Sequence, residues 1–399
     1  MTRRGRLALT LGGATYLAAW AFGSRALYPV AFGLLAAVLL AWLWTRLANR
    51  PLELRRSLSA GDRVEGESVE VRLQLFAERP LVPARWVLRE RIGKLGERET
   101  PLALGGRARY VLEALPRGRS VFGETRAVVE DPFGLEHIEQ PLSAAGALLV
   151  YPRLVELERL FSESGDRALD GRRLLLRRPS GFDLHSVREY EQGESLRKVH
   201  WRSTARRGQL MVKELEDSPR DEVAVVLDAD PATVVGNSFE VQVRAAGSIL
   251  QAHARRGRRA VLLVNVGRGQ QQRVHSSDGD WRRALDLLAA VEPEPGPPVV
   301  ALLADDSSAA ARAMELAVVT GSLPQHLVER LVARALGHGS VSLVFVDTAT
   351  FNSTRPVAQR QPDLLRLQTA GVAVTVLRRG DDLAERLAAM RGPAEAVHA

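Results

Sequence analysis

The chain has 399 residues, 46% of them hydrophobic and 26% charged, and no cysteine. That length suggests two or three domains, the composition excludes a wholly disordered chain, and the missing thiols exclude a disulfide scaffold, a thiolate zinc site and a cysteine nucleophile. The net charge of +8 is unevenly spread: residues 1–50 hold six arginines and no acid, which leaves +2 for residues 51–399.

Basic residues beside apolar runs speak of membrane topology before nucleic acid. Leu7–Phe22 and Ala26–Thr45 are free of charge, and a short gap containing Arg25 separates them. Each approaches the ~20 residues a helix needs to cross ~30 Å of hydrocarbon. Residues 1–50 therefore read as a transmembrane helical hairpin, with helices at about 7–23 and 26–45. Trp20, Tyr28, Trp42 and Trp44 lie near the ends, where amphipathic rings favour the interface. Arginines gather outside the pair (Arg3, Arg4, Arg6; Arg46, Arg50, Arg55, Arg56), which places the soluble domains in the cytoplasm. A cleaved signal peptide is the competing reading, with Ala21-Phe22-Gly23 as a small-x-small site; the second apolar run argues against it.

Residues 51–152 show period-two patterning, as in Val69–Leu75, where four aliphatics alternate with three polar residues. Short strands at Arg85–Leu88, Tyr110–Leu115, Val121–Phe122, Arg126–Glu130 and Leu148–Tyr151, separated by turn residues, predict an all-β, sandwich-like domain. Residues 153–220 form a charged linker, and 171–220 carry twelve basic residues against seven acids. From 221 to 399 aliphatic runs alternate with helical stripes, which predicts an α/β doubly wound domain of about five buried strands. The runs are Val223–Leu227, Ala260–Val266, Leu316–Val319, Val341–Val346 and Val372–Leu377, and Gln272–His275 suits a hairpin partner.

No G-x-S-x-G, His-Glu-x-x-His or G-K-S/T motif occurs, and the eight histidines show no metal-ligand spacing. In an open α/β sheet ligands bind beyond the carboxyl ends of the strands. Asp228, Asp230, Thr320 and Asp347 fall there, and such oxygens would suit a divalent cation such as Mg²⁺. The alternative is that these side chains cap helices or anchor loops.

The segment 181–208 is the second candidate. A helix from Ser195 to a stop at Gly208 would place Arg197, Trp201 and Ala205 on one face. Arg188, Arg197 and Arg206 could each grip a carboxylate or phosphate, and Trp201 offers a stackable ring. The readings in order are a structural clamp through Glu189, Glu191, Glu194, Glu214 and Glu216, then partner docking, then nucleic acid. One Trp and one Tyr among the seven acids of residues 171–220 do not make a nucleic-acid face, so no nucleic acid is expected.

This segment resembles a bacterial family known as domain of unknown function fifty-eight. The hallmark R-E-Y-x-x-G-D-x-x-R-x-I-x-W-x-x-[ST]-A-R is carried by Arg188, Glu189, Tyr190, Gly193, Arg197, His200, Trp201, Ser203, Thr204, Ala205 and Arg206. Glu194 stands where the family usually has Asp, and Val199 where it often has Ile. Pro116-Arg117-Gly118, Asp131-Pro132-Phe133-Gly134-Leu135 and Tyr151-Pro152-Arg153 are family-like signposts upstream. The resemblance implies a membrane-anchored protein with a β-rich domain followed by a von Willebrand factor A-like domain. It further implies work beside a MoxR-type AAA+ ATPase and a transglutaminase-like membrane protein, and no catalytic activity. The family-type adhesion motif Asp-x-Ser-x-Ser is degenerate here, reading Asp228-Ala229-Asp230-Pro231-Ala232.

The expectation is a non-enzymatic, membrane-anchored scaffold or adaptor that docks a protein partner through its α/β domain. The alternatives are a hydrolase using Asp228 and Asp230 with a cation and His200 as base, or an extracytoplasmic adhesion module. A Trp201 ring buried between domains would cost ~3–5 kcal/mol on truncation to alanine, whereas a near-neutral effect would mark an exposed docking residue.

Overall fold

A computed structural model describes residues 1–59, 61–77, 85–103, 106–143, 146–157, 184–189, 201–215, 222–274, 278–305, 308–337, 339–352 and 362–389. They form two compact units, Met1–Arg153 and Leu154–Ala399.

In the first unit both apolar runs are helical, as α1 (Arg3–Ala21) and α2 (Leu27–Ala48). They pack as a hairpin, with Tyr16 edge-on to Tyr28 at 5.7 Å and to Phe32 at 5.9 Å. Among the described residues α2 is the one helix long and apolar enough to cross a membrane. The start of α1 is capped by Thr2, whose hydroxyl accepts from Gly5 N at 3.0 Å and donates to the Gly134 carbonyl at 2.7 Å.

Nine strands follow: β1 (Leu52–Leu58), β2 (Arg63–Val64), β3 (Val69–Ala77), β4 (Arg85–Ile92), β5 (Gly96–Ala103), β6 (Arg107–Leu112), β7 (Gly118–Glu130), β8 (His137–Leu142) and β9 (Gly146–Tyr151). One sheet is β1-β3-β6; the other is β2-β9-β7-β4-β5, with β8 also paired to β7. Inward side chains of both, such as Leu54, Val71 and Leu75 against Trp86, Leu88 and Val129, make a common core. Burying each such side chain contributes roughly 1.5–3 kcal/mol. The predicted strands at Val121 and Arg126 are one strand, β7. Its pairing with β4 slips between Glu90 and Ile92, so Gly123 and Glu124 are both exposed. That bulge breaks the period-two pattern, which is why the sequence reads as two pieces.

The second unit opens with β10 (Leu184–Glu189), α3 (Trp201–Arg207) and β11 (Met211–Leu215), the two strands pairing antiparallel. A six-stranded sheet follows, built from β12 (Val223–Leu227), β13 (Ala260–Val264), β14 (Gln270–Val274), β15 (Glu315–Thr320), β16 (Ser340–Val346) and β17 (Ala373–Leu377). Its order is β14-β13-β12-β15-β16-β17, parallel except for β14 at one edge. Fully aliphatic strands such as Val223–Leu227 are buried on both faces, as parallel strands demand. Against one face pack α4 (Ser238–Arg255), α5 (Asp278–Ala290) and α10 (Leu383–Ala388). Against the other pack α6 (Val299–Ala304), α7 (Ala309–Arg312), α8 (Gln325–Leu336) and α9 (Pro362–Thr369). The doubly wound expectation holds, and α6, α7 and α9 are additions to it.

At the amino ends of these strands His253 is buried, its Nε2 3.5 Å from Glu315 Oε1, while Arg258 donates to Glu315 Oε2 at 3.0 Å. Burial, then Arg258 and Arg256, hold the imidazole down to about 3. An unfolded histidine titrates near 6.5, so between these values the unfolded chain takes up a proton that the folded one refuses. Stability therefore falls as pH drops from about 6.5 towards 3, by about 1.4 kcal/mol per pH unit. Melting of the detergent-solubilised chain at pH 7 and 5 checks this. His253→Leu should show a smaller drop than the wild type, and parallel drops would refute a buried neutral imidazole.

Candidate functional site at the carboxyl ends of the parallel sheet

Counted from β12, the sheet has strand order 3-2-1-4-5-6, so its direction of winding reverses between β12 and β15. Ligands of open α/β sheets bind in the crevice outside this switch point. Asp228 follows β12 and Thr320 ends β15, so both expected residues flank it. They meet: the Thr320 hydroxyl donates to Asp228 Oδ2 at 2.6 Å. Asp228 Oδ1 accepts from Asn265 Nδ2 at 2.8 Å and from the Asp230 amide at 3.2 Å. Asn265 Oδ1 in turn accepts from Ala229 N at 2.6 Å. Asp228, Asn265 and Thr320 are all buried, and every oxygen of the Asp228 carboxylate faces a donor.

Asp230 does something different. Its Oδ1 accepts from Ala232 N at 2.9 Å and caps the short turn Pro231–Thr233. Asp347, buried after β16, lies 3.6 Å from Arg378 Nε and takes the Thr350 hydroxyl on its carbonyl at 2.6 Å. Among the described residues no three acidic or histidine side chains gather as a metal would need. The donor set around Asp228 and Asp230 thus does not fit a divalent cation, because amide and hydroxyl hydrogens point at the oxygens that a hard cation would use. The loop-anchoring alternative is the one this geometry supports.

The crevice is also filled by the chain itself. A Cβ on Gly321 would sit 2.7 Å from Thr348 Cγ2, 3.0 Å from the Thr233 carbonyl and 3.2 Å from Gln242 Nε2. A Cβ on Gly296 would meet the Asn265 carbonyl at 1.6 Å, so the proline-rich connection 292–298 lies directly on the end of β13. Glu294 N ties it down by donating to the Ala229 carbonyl at 3.1 Å. Gln242 on α4 is fully buried, and neither atom of its amide has a partner among the described residues.

The sequence reading missed Asn265 and Gln242. Both carried a signal: a polar residue after the aliphatic run 260–264, and a polar residue on the stripe Phe239, Val243, Ala246.

Of the second candidate, Tyr190, Gly193, Arg197 and His200 lie outside the described residues. Arg188 and Glu189 are the last residues of β10, in register with Val212 and Met211. Trp201, Ala205 and Arg206 are on α3, which Gly208 ends at φ +70°, as the sequence suggests. Thr204 Oγ1 ties the helix to β11 by accepting from Met211 N at 3.0 Å. Trp201 is 65% exposed, so of the two readings for this ring the structure has the outward one, while Met211 is buried.

Fold and site together define a mixed α/β protein with an apolar N-terminal helix and a self-filled switch-point crevice. Residues 186–381, about half of the chain, match the family model described as Protein of unknown function DUF58. It is 25% identical over 241 residues to the uncharacterized protein YeaD of Bacillus subtilis (strain 168), a match covering 59% of this chain and 58% of that protein's length. Among solved structures, the alkylpurine DNA glycosylase AlkC of Pseudomonas fluorescens shares 14% identity, covers 32% of this chain and 42% of that one, and superposes with a TM-score of 0.15. A β-glucuronidase of Bacteroides uniformis shares 9% identity over 85% of this chain and 32% of its own, with a TM-score of 0.17. Superpositions that poor carry no argument about fold or function.

Proposed function

We propose that the protein is a membrane-anchored scaffold or adaptor whose two N-terminal helices insert in the cytoplasmic membrane and whose second unit docks a protein partner. The partner expected from the family resemblance is a MoxR-type AAA+ ATPase, with a transglutaminase-like membrane protein as a third member. On this reading the second unit is a von Willebrand factor A-like domain that works without a metal-dependent adhesion site. The observation that carries the proposal is the outward-facing Trp201 on a helix that also exposes Arg202, Arg206 and Arg207. Exposed Trp flanked by Arg is the composition of protein-binding hot spots. The filled crevice supports the non-enzymatic side of the reading, because the strand-end carboxylate that would do chemistry is committed to holding loops.

Affinity purification of the full chain in mild detergent, with and without nucleotide, tests this. An AAA+ ATPase should co-purify, and its absence under both conditions removes the partner claim. Trp201→Ala should cut recovery at least ~10-fold, since a hot-spot residue is worth about 2 kcal/mol. The same substitution should leave melting within about 0.5 kcal/mol of wild type. A large loss of stability instead would return Trp201 to the clamp role. A reporter fused at the C-terminus separates the cytoplasmic scaffold from an extracytoplasmic adhesion module.

A further inference from the structure

The outward face of the sheet β1-β3-β6 belongs to neither candidate above. Strand alternation places Arg55, Ser57, Arg72, Gln74, Arg107 and Arg109 on it, around a groove of about 770 Å³. The register sets them in two rows: Arg55 opposite Gln74 opposite Arg107, and Ser57 opposite Arg72 opposite Arg109. Arg72 and Arg109 are thus like charges on directly facing residues, an arrangement that costs stability by itself. Glu53 pairs with Arg55 at 2.9 Å outside the groove, and Glu70, which lines it, pairs with Arg72 at 3.1 Å and is held below its ordinary value by Arg72 and, more weakly, Arg109, so four guanidinium groups face two carboxylates. Among the described residues Arg107 and Arg109 reach no carboxylate at ion-pair distance, and both are exposed. A concave face that gathers guanidinium groups in excess over its acids is built for an anion with several oxygens, and phosphate matches the planar fork of arginine.

Its position says where the phosphate comes from. Strand β1 begins at Leu52, four residues after α2 ends at Ala48, and Ala48 is itself part of the β-domain core. At ~3.3 Å per residue the Arg55 row lies about 10 Å along the strand from Leu52, and the Arg72 row about 17 Å. Arginine stems shorten both gaps. On α2, Arg46 stacks over Trp42 with its guanidinium 5.4 Å from the ring, a pairing suited to the membrane interface. We infer that this arginine face is a juxtamembrane binding site for the phosphates of anionic lipid headgroups, which hold the β-domain against the bilayer. The inference rests on α2 being membrane-embedded, as proposed above.

The test uses the full chain in vesicles of phosphatidylcholine alone or of phosphatidylcholine with phosphatidylglycerol. Flotation reads the anchor, and phenylglyoxal modification followed by peptide mass spectrometry reads each arginine. The chain should float with both vesicles, while Arg55, Arg72, Arg107 and Arg109 react at least ~5-fold more slowly only where phosphatidylglycerol is present. Joint substitution Arg72→Ser and Arg109→Ser should abolish the protection of Arg55 and Arg107 without affecting flotation. Flotation with equal reactivity in both vesicles overturns the headgroup site and leaves the anchor intact. Protection by millimolar inorganic phosphate in phosphatidylcholine vesicles, equal to that by phosphatidylglycerol, assigns the groove to free phosphate and overturns the lipid claim. Failure to float with either vesicle overturns the anchor, and the headgroup site with it.

Discussion

Glu90→Ala is expected to destabilise the first unit by about 3–5 kcal/mol, because it strands a buried charge. Glu90 and Arg56 form an ion pair inside the β-domain, their side chains 1% and 5% exposed. The carboxylate also accepts the Tyr110 hydroxyl at 2.8 Å, and Arg56 donates to Thr125 Oγ1 at 3.1 Å and covers the Phe122 ring at 4.2 Å. Removing the acid takes away the carboxylate that Arg56 pairs with and the acceptor of the Tyr110 hydroxyl, and water cannot replace either cheaply. Burial, then the Glu90 charge, push the Tyr110 phenol well above its ordinary value, so the hydroxyl is a committed donor. Replacing both partners, Arg56→Met with Glu90→Leu, should restore part of the loss, since an apolar pair of similar volume avoids desolvating ions while the Tyr110 hydroxyl stays without its acceptor. Chemical denaturation of the detergent-solubilised chain measures all three. A single-variant loss under about 1 kcal/mol would mean that the pair is solvated, as exposed pairs are.

Asp228→Ala should cost a similar amount, about 3–5 kcal/mol, in the second unit. The substitution leaves the Asn265 amide and the Asp230 N–H facing a cavity, while the Thr320 hydroxyl keeps the Ser322 carbonyl at 2.9 Å, and each unsatisfied buried donor costs about 1–3 kcal/mol beside the cavity itself. Asp228→Asn keeps one acceptor and should fall between. Hydrogen exchange should locate the damage in β12, β13 and β15, where the three partners sit. A carboxylate held ready for a cation behaves oppositely, for removing it in chelator would leave stability unchanged or raise it. That outcome would overturn the loop-anchoring role.

The parts of this molecule that were legible in its sequence are those set by neighbours along the chain. Val223–Leu227 and Val341–Val346 announce buried parallel strands because both faces are aliphatic, and Asp228 and Thr320 announce strand ends because polarity returns abruptly. Gly208 reads as a helix stop for the same local reason. The buried cluster of the β-domain was not legible. Arg56, Glu90 and Tyr110 come from three strands, and Arg56 looks like any charged residue in an Arg-rich stretch until β1, β4 and β6 enclose one core. The direction in which α3 turns Trp201 was equally hidden, since a seven-residue helix with apolar and basic residues intermixed has no dominant stripe. The filling of the crevice depends on Gly296 and Gly321 touching backbone and side chains far away in sequence, which no local pattern encodes.

Strand β14, the single antiparallel member of the large sheet, also bears on behaviour in crowded settings. Its residues Gln270-Gln271-Gln272-Arg273 turn one open margin of an otherwise aliphatic sheet into a polar, charged border. Bare parallel margins recruit strands from other molecules, and a charged border discourages such stacking. A border of this kind therefore works against strand addition between copies at that margin and helps keep densely expressed protein dispersed rather than polymerised.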